Sequence, residues 1–412
     1  MIPDLRRRFN AAFTDARYAA FTRELQRAMY WPVDFRVAET PLFLDAATAG
    51  ELVKAAADIA GQLAQPAFRR HAATAIPRAL GGARPGPVGG PSSLEVPNET
   101  EWPHFLCVDF ALCADAAGRI VPQLIELQGF PTVACWQVLQ ANAYRKHFPE
   151  VPAEFTTFFG GIDEECYLAE LRAAIVGDCL PENVVLLEIE PDKQKTRIDF
   201  ACTHSLLGVR PMCLSKVRRR GRQLVYFSGG REVPIHRIYN RVIFDELLRK
   251  PDFAPGFRFD DDVDVQWAGH PNWYFRISKH SLPFLRGPYV PDCRLVSQLG
   301  ADVPADLENY VLKPLYSFAG LGVDIAPTRE KLAALPNPAE WILQRKVTYA
   351  PLLATPDGPA KAEIRLIFAG DGEGMPKLLN NLVRLTKGAM HGVDFNKGKT
   401  WVGASCAFHP GA

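Results

Sequence analysis

An aspartate stands in the middle of an otherwise apolar run, Phe105-Leu-Cys-Val-Asp-Phe-Ala-Leu112, and this restricts the fold more than any other feature of the chain. The run is short and rich in strand-forming residues. It ends in the turn signal Ala114-Asp-Ala-Ala-Gly118, and a second apolar run, Ile120 to Leu127, follows. The pattern predicts a β-hairpin that delivers Asp109 from one strand and Glu126 from the other. A carboxylate in such a strand is costly unless a cation or a metal meets it. Glu126 and Gln128, at i and i+2, share a strand face, and Asp109 across the hairpin converges on them. Three oxygen donors suit Mg²⁺, with phosphate and water completing its shell. Ion pairs with arginines are the competing reading.

Composition removes several function classes. A chain of 412 residues with 48% apolar content has material for two or three domains. Lys and Arg number 47 against 46 Asp and Glu, which argues against nucleic acid held by a global basic field and against a disordered chain. No run of about 18 apolar residues exists, so no membrane-spanning helix is expected. Met1 to Arg8 lacks an apolar segment of the signal-peptide kind, which makes the cytoplasm the expected compartment. Nine cysteines, none in a C-x-x-C, read as free and mostly buried thiols. The nine histidines show no zinc-ligand spacing.

Along the chain, Phe9, Phe13, Tyr18, Phe21 and Leu25, then Leu52, Ala55, Ile59 and Leu63, recur at helical spacing, so residues 1 to about 76 read as helices. Arg6, Arg7 and Arg8 read as a solvated helix face. Five glycines and five prolines between Pro77 and Pro97 exclude regular structure there and leave either an active-site lid or a linker. Val184 to Glu190, a helix over Lys193 to Leu207 and a strand over Arg210 to Ser215 predict a small parallel α/β layer. Further strands are expected at Leu224 to Phe227, Val233 to Arg237 and Ile238 to Phe244. The basic cluster Lys216, Arg218, Arg219, Arg220 and Arg222 reads as an exposed hairpin tip. In the last 150 residues strands alternate with glycine turns: Tyr310 to Lys313, Gly322 to Ile325, Trp341 to Val347, Glu363 to Phe368, Leu378 to Leu385 and Thr400 to Ala404.

Several of these segments point to an anionic ligand. In Tyr310-Val-Leu-Lys-Pro-Leu-Tyr-Ser-Phe-Ala-Gly-Leu-Gly-Val323, Lys313 ends a strand beside a turn containing Ser317, Gly320 and Gly322. An ammonium beside backbone that glycines leave open suits a phosphate chain. Lys279 lies upstream, before a Leu/Phe pattern. Trp341-Ile-Leu-Gln-Arg-Lys-Val347 is an apolar strand turning polar at its end, and such an edge can offer a backbone carbonyl and N–H to a purine while Ile342 and Leu343 pack on its face. Arg365 and Arg384 each stand in an apolar strand, where a guanidinium needs an anion.

The order of these parts resembles the circularly permuted ATP-grasp family, in particular the synthetase domain of glutathionylspermidine synthase. The residues that carry the resemblance are Asp109-Phe110, Glu126-Leu-Gln-Gly-Phe-Pro-Thr132, Ile238-Tyr-Asn-Arg241, His270-Pro-Asn-Trp273, Lys279, Val311-Leu-Lys-Pro-Leu-Tyr-Ser-Phe-Ala-Gly320, Asn380-Asn-Leu-Val-Arg384 and Asn396-Lys-Gly-Lys-Thr-Trp-Val402. The resemblance spans about residues 105 to 404. It implies an α/β (α+β) chain with the ATP-grasp fold. A helical region with the Gly/Pro-rich loop would cover 1–100, and the permuted metal-binding hairpin with helices 101–180. A pre-ATP-grasp α/β domain would cover 181–260 and the nucleotide-binding domain 261–412. It further implies an ATP- and Mg²⁺-dependent carboxylate–amine ligase acting through an acyl-phosphate on small-molecule substrates. Asp109, Glu126 and Gln128 would hold the metal. Lys279, Lys313, Ser317, Gly320 and Gly322 would hold the phosphates, and Gln344, Arg345 and Val347 would meet adenine. Arg384 and Arg365 would steady the transferred phosphate. The chain departs from the family at three kinds of position: Gln128 replaces an asparagine, Phe318 and Ala319 replace an Arg-Glu pair, and Cys107 replaces an arginine. Phe318 and Cys107 motivate a second reading, an ATP-binding protein without ligase activity or with kinase-like chemistry. A protein that binds no nucleotide, whose acids and lysines are structural, is the third.

Overall fold

The computed structural model describes residues 2–77, 94–317, 321–388 and 396–411. Most of the Gly/Pro-rich stretch lies outside these, as do Phe318, Ala319 and Gly320. The architecture is mixed α+β. In chain order the strands that matter to the site are β1 (Phe105–Ala114), β2 (Ile120–Gln128), β3 (Val184–Glu188), β4 (Arg210–Cys213), β5 (Arg237–Asn240) and β6 (Gln266–Ala268). They continue with β7 (Cys293–Leu295), β8 (Tyr310–Pro314), β9 (Trp341–Arg345), β10 (Lys361–Ala369), β11 (Lys377–Thr386) and β12 (Gly403–Ser405).

The expected hairpin, β1–β2, forms one side of a five-stranded antiparallel sheet in the order β12-β11-β10-β1-β2. Its alternation explains the apolar run. Leu106, Val108, Phe110 and Leu112 of β1, with Ile364, Leu366 and Phe368 of β10, face a core shared with Leu52, Ile59 and Leu63 of helix α3 (Ala46–Leu63). The intervening residues Cys107, Asp109 and Ala111 take the opposite face, and Asp109 thereby shares a face with Arg365. Both faces of β1 are buried, so the strand reads as continuously apolar except at that aspartate.

The parallel α/β layer is four-stranded, in the order β6-β5-β3-β4 with every pair parallel. Arg197–Leu207 is the crossover helix, and Gly208 closes it in the left-handed conformation at φ +78°. Alternate residues of β3 enter two different cores, Val184 and Leu186 on one side and Val185 and Leu187 on the other. A third sheet, β7-β9-β8, is antiparallel and carries Lys313.

Helical spacing at the N-terminus is realised as α1 (Pro3–Ala12), α2 (Asp15–Arg27), α3 and a short helix over Pro66–Ala72. These helices cover two different surfaces. Phe9 and Phe21 pack on Phe148 and Tyr144 beside the helix Ala134–His147, with ring centroids 5.1 Å and 4.6 Å apart, whereas α3 covers the five-stranded sheet. Leu42 and Phe43 pair in parallel with Ala407 and Phe408, tying this region to the far end of the chain. No helix among the described residues is long and apolar enough to cross a membrane.

Three local readings are corrected. Arg6 is buried rather than solvated: its guanidinium bonds Thr40 Oγ1 at 2.5 Å and lies 4.5 Å over the Phe9 ring, and burial lowers its pKa to about 9. Gly322 to Ile325 is not a strand; Asp324 makes only an isolated bridge to Leu312, because Gly322 at φ +74° turns the chain. The strand that begins at Arg237 stops at Asn240, and Phe244 opens a helix. The basic cluster is an exposed meander in which three arginines pair with acids: Arg219 with Asp261, Arg220 with Glu232 and Arg222 with Asp262 and Asp264.

Asn381 holds the C-terminal segment to the sheet. Its amide nitrogen donates to Thr157 O at 2.9 Å and Ala407 O at 3.0 Å, and its oxygen accepts from Ala407 N at 2.7 Å, all without solvent contact. Asn381→Ala strands three backbone groups. It is expected to lower unfolding free energy in urea by about 3 kcal/mol, and a loss under about 1 kcal/mol would show that water replaces the amide.

Candidate active site

The register of the five-stranded sheet sets the site. Asp109 lies opposite Glu126 on β2 and opposite Arg365 on β10. Three charged residues therefore stand side by side across three neighbouring strands. Arg365 grips Asp109 with two bonds, Nε to Oδ1 and Nη2 to Oδ2, both 2.6 Å. Arg384 on β11 adds a third, Nη2 to Oδ2 at 2.9 Å, and its Nε lies 3.2 Å from Glu363. Burial pushes the Asp109 carboxyl up, but the two guanidiniums outweigh it and hold the group below the usual carboxylate range. Burial lowers the Arg365 guanidinium, but Asp109 outweighs it and raises the group.

The remaining oxygen donors also turn to Arg365. The Gln128 amide is satisfied when its oxygen faces Arg365, at 2.7 Å from Nη1 and 3.0 Å from Nη2. Glu126 Oε1 is 4.0 Å from Nη2, and Thr132 Oγ1 accepts from Nη1 at 3.2 Å. Asp109, Glu126 and Gln128 do converge, as their spacing on the hairpin predicts. The object they converge on is a guanidinium. As it stands, the set does not fit Mg²⁺, because Asp109 Oδ2 and the Gln128 oxygen each already accept two N–H bonds, which uses both lone pairs. Among the described residues no group of three or more His, Cys, Asp and Glu side chains is placed to hold a metal ion.

Two lysines approach the same carboxylates from other elements. Lys279, on a short turn capped by Ser278, donates to Ser317 O at 2.7 Å and lies 3.7 Å from Glu126 Oε2. Lys313, on β8, donates to Gln344 Oε1 at 2.6 Å and Ile125 O at 3.1 Å. Among the described residues, two of its three N–H donors find acceptors. Burial lowers the Lys313 pKa, with Glu126 acting in the opposite sense.

The adenine assignment is corrected for Gln344. Gln344 and Arg345 lie on β9, the central strand of its sheet. Gln344 pairs with Cys293 on one side and Val311 on the other. Arg345 pairs with Tyr310 and donates its N–H to Asp292 O at 2.8 Å. A central strand turns the Gln344 backbone to its neighbour and leaves none for a purine, whereas at Arg345 it is the N–H that is committed. The Gln344 side chain instead bridges Lys313 and Leu124 O, the latter at 3.2 Å. Val347 lies beyond the strand end and is half-buried. Gly322 stays beside Pro314, which a Cβ at that position would approach to 3.2 Å.

Sequence reasoning missed several participants. Glu363 stands two residues before Arg365 on the same strand face, and Tyr349 Oη donates to it at 3.1 Å. Thr132 joins two layers: its hydroxyl meets Arg365, and its carbonyl accepts from Arg241 at 2.8 Å. Arg241 also faces Asp199 at 3.4 Å, and burial pushes that carboxyl up to about 6. Both Thr132 and Arg241 lie inside motifs that carried the resemblance. Cys107, where the family has arginine, is sealed in the core, and burial pushes its thiol up to about 12. A cavity of about 330 Å³ opens elsewhere, lined by Phe68, Trp102, Trp273, Arg276 and Met375, and none of the predicted site residues borders it.

Gly129 is the reason the Gln128 end of β2 can lie where it does. A Cβ there would stand 2.6 Å from Trp273 O, while the Gly129 N–H bonds Ile277 O at 2.7 Å.

No family model matches the chain, and no curated protein matches it. Among solved structures it is similar to the glutathione synthetase like-effector GSS30 from Globodera pallida, in apoform. The two are 11% identical over 91% of this chain and 90% of that one, with a TM-score of 0.49. Likeness at that level decides neither the detailed fold nor the activity.

The depressed Asp109 pKa fixes a pH dependence. Below about pH 4 the unfolded chain takes up a proton at Asp109 that the folded chain still refuses, so stability rises with pH in that window and is lost as pH falls through the folded value. Unfolding midpoints in urea between about pH 4 and pH 2 should fall more steeply for the natural protein than for Asp109→Asn. Equal slopes would mean that the pair does not form in solution.

Proposed function

We propose that the chain is a carboxylate–amine ligase of the ATP-grasp kind, with its nucleotide between the β7-β9-β8 sheet and the five-stranded sheet. The observation that carries the reading is the convergence of Lys279, Lys313, Arg365 and Arg384, from four separate segments, on one row of carboxylates. Four cations face Asp109, Glu126 and Glu363, an excess of one positive charge that a polyphosphate would reverse. The ordered motifs of the sequence support the same reading.

In this scheme Lys279 and Lys313 bind the nucleotide phosphates. An oxygen of the substrate carboxylate attacks the terminal phosphorus, and the bond to the ADP oxygen breaks. Arg384, the more accessible of the two arginines, meets the phosphoryl group as negative charge builds, while Arg365 fixes the field behind it. The amine then adds to the acyl carbon and gives up a proton, and phosphate leaves. No side-chain nucleophile is required, in keeping with a Cys107 thiol held in its protonated form. One observation favours the second reading, nucleotide binding without ligation: Asp109 is committed to Arg365 and Arg384 and meets no ligand directly.

A non-hydrolysable ATP analogue is expected to bind the natural protein, and Lys313→Met to weaken it roughly 10- to 150-fold. ADP release that needs both an acid and an amine separates ligation from binding alone. An absence of nucleotide binding at about millimolar concentration would remove both readings.

A further inference from the structure

We infer that Arg365 is the resident cation of this site, standing where a divalent metal would otherwise sit between Asp109, Glu126 and Gln128, so that a polyphosphate meets protein cations alone. This rests on the nucleotide reading above.

The placement is built into the sheet. Asp109 and Arg365 are register partners on adjacent strands, and so are Asp109 and Glu126. Arg365 therefore projects onto the same face as both acids whatever its rotamer. Its fork is fully engaged: Nε and Nη2 on Asp109, Nη1 on Thr132, and both terminal nitrogens on the Gln128 oxygen. Asp109 is 1% exposed; its Oδ2 accepts two N–H bonds and its Oδ1 one. A hard dication needs oxygen lone pairs at about 2.1 Å in octahedral array, and Asp109 Oδ2 and the Gln128 oxygen have both of theirs occupied by N–H groups. Charge balance points the same way. A dication added to four cations and three carboxylates would raise the local excess from one to three.

The first test uses the full chain and Mn²⁺ alone, read by electron paramagnetic resonance, with no nucleotide present. The natural protein should show no stoichiometric site tighter than about 1 mM. Arg365→Met, which empties the space between the three oxygen donors, should gain one Mn²⁺ per chain and lose it again on adding Asp109→Asn. One Mn²⁺ bound by the natural protein and released by Asp109→Asn overturns the inference, as does a folded Arg365→Met that binds none. A second arm needs no variant, so it stands even if Arg365→Met does not fold. Affinity for the non-hydrolysable ATP analogue should change by less than about threefold between Mg²⁺ and EDTA. A loss of more than about tenfold in EDTA overturns the inference. No nucleotide binding under either condition removes the proposed function instead, and the Mn²⁺ result on the natural protein still decides the role of Arg365.

Discussion

The bond between Asp109 and Arg365 sets what its surroundings can be. A carboxylate placed in a strand with both faces buried needs a cation, and the cation must come from the neighbouring strand because solvent cannot reach it. Arginine answers this better than lysine, since its planar fork matches both carboxylate oxygens at once. Once β10 supplies Arg365 opposite Asp109, the register of β10 against β1 is fixed. A slip of one residue would put Ile364 or Leu366 against the acid and carry Arg365 into the apolar core shared with α3. The charged pair thus acts on register as the apolar face does. Both penalties fall on the same error.

From this centre a few polar bridges join the three sheets. Thr132 links Arg365 to Arg241, which follows β5 of the parallel layer. Gln344 links Lys313 to the carbonyl of Leu124, and so β8 and β9 to β2. Lys279 links its own turn to Glu126 and to the carbonyl of Ser317. Each bridge ends on a backbone carbonyl or a carboxylate, groups that cannot stay buried without a donor. Satisfying them therefore sets the relative positions of the sheets. The N-terminal helices take no part in this network; they cover the apolar surfaces that the sheets leave over.

What was legible in the sequence follows the range of the interaction. The β1–β2 hairpin could be read because both strands and their turn lie within 24 residues, and alternation places Asp109, Glu126 and Gln128 on one face. That arginines meet Asp109 was open as a competing reading. Which arginines, and that they exclude the metal arrangement, depended on pairing between residues 256 and 275 positions apart. No local pattern fixes such pairing. The purine assignment of Gln344 failed for a related reason: whether β9 is an edge strand or a central one depends on β7 and β8, not on its own residues. Arg6 was misread because a basic triplet in a helix usually faces water, and burial over Phe9 depends on how α1 packs. Gly129 could have been noticed, since a glycine between a charged strand and a proline turn marks a close backbone approach, here to Trp273.

A buried ion pair is poor evidence for stability, because apolar residues of similar volume often do as well or better. The row that runs from Glu126 through Asp109 to Arg365 and Arg384 therefore calls for another account, and its exposure supplies one. The side chains at the two ends, Glu126 and Arg384, are 29% and 35% exposed, while Asp109 and Arg365 between them are 2% and 12%. The inner pair is thus kept in a medium of low dielectric, where its field is weakly screened, and the outer groups are within reach of a ligand. Bringing Lys279 beside Glu126 covers the acidic end with a cation and leaves Arg384 as the open cationic one. An arriving anion meets a guanidinium already oriented by Asp109 and Glu363, so little reorganisation remains when negative charge builds against it. Preorganisation of that kind gives the buried pair a function that packing alone does not supply.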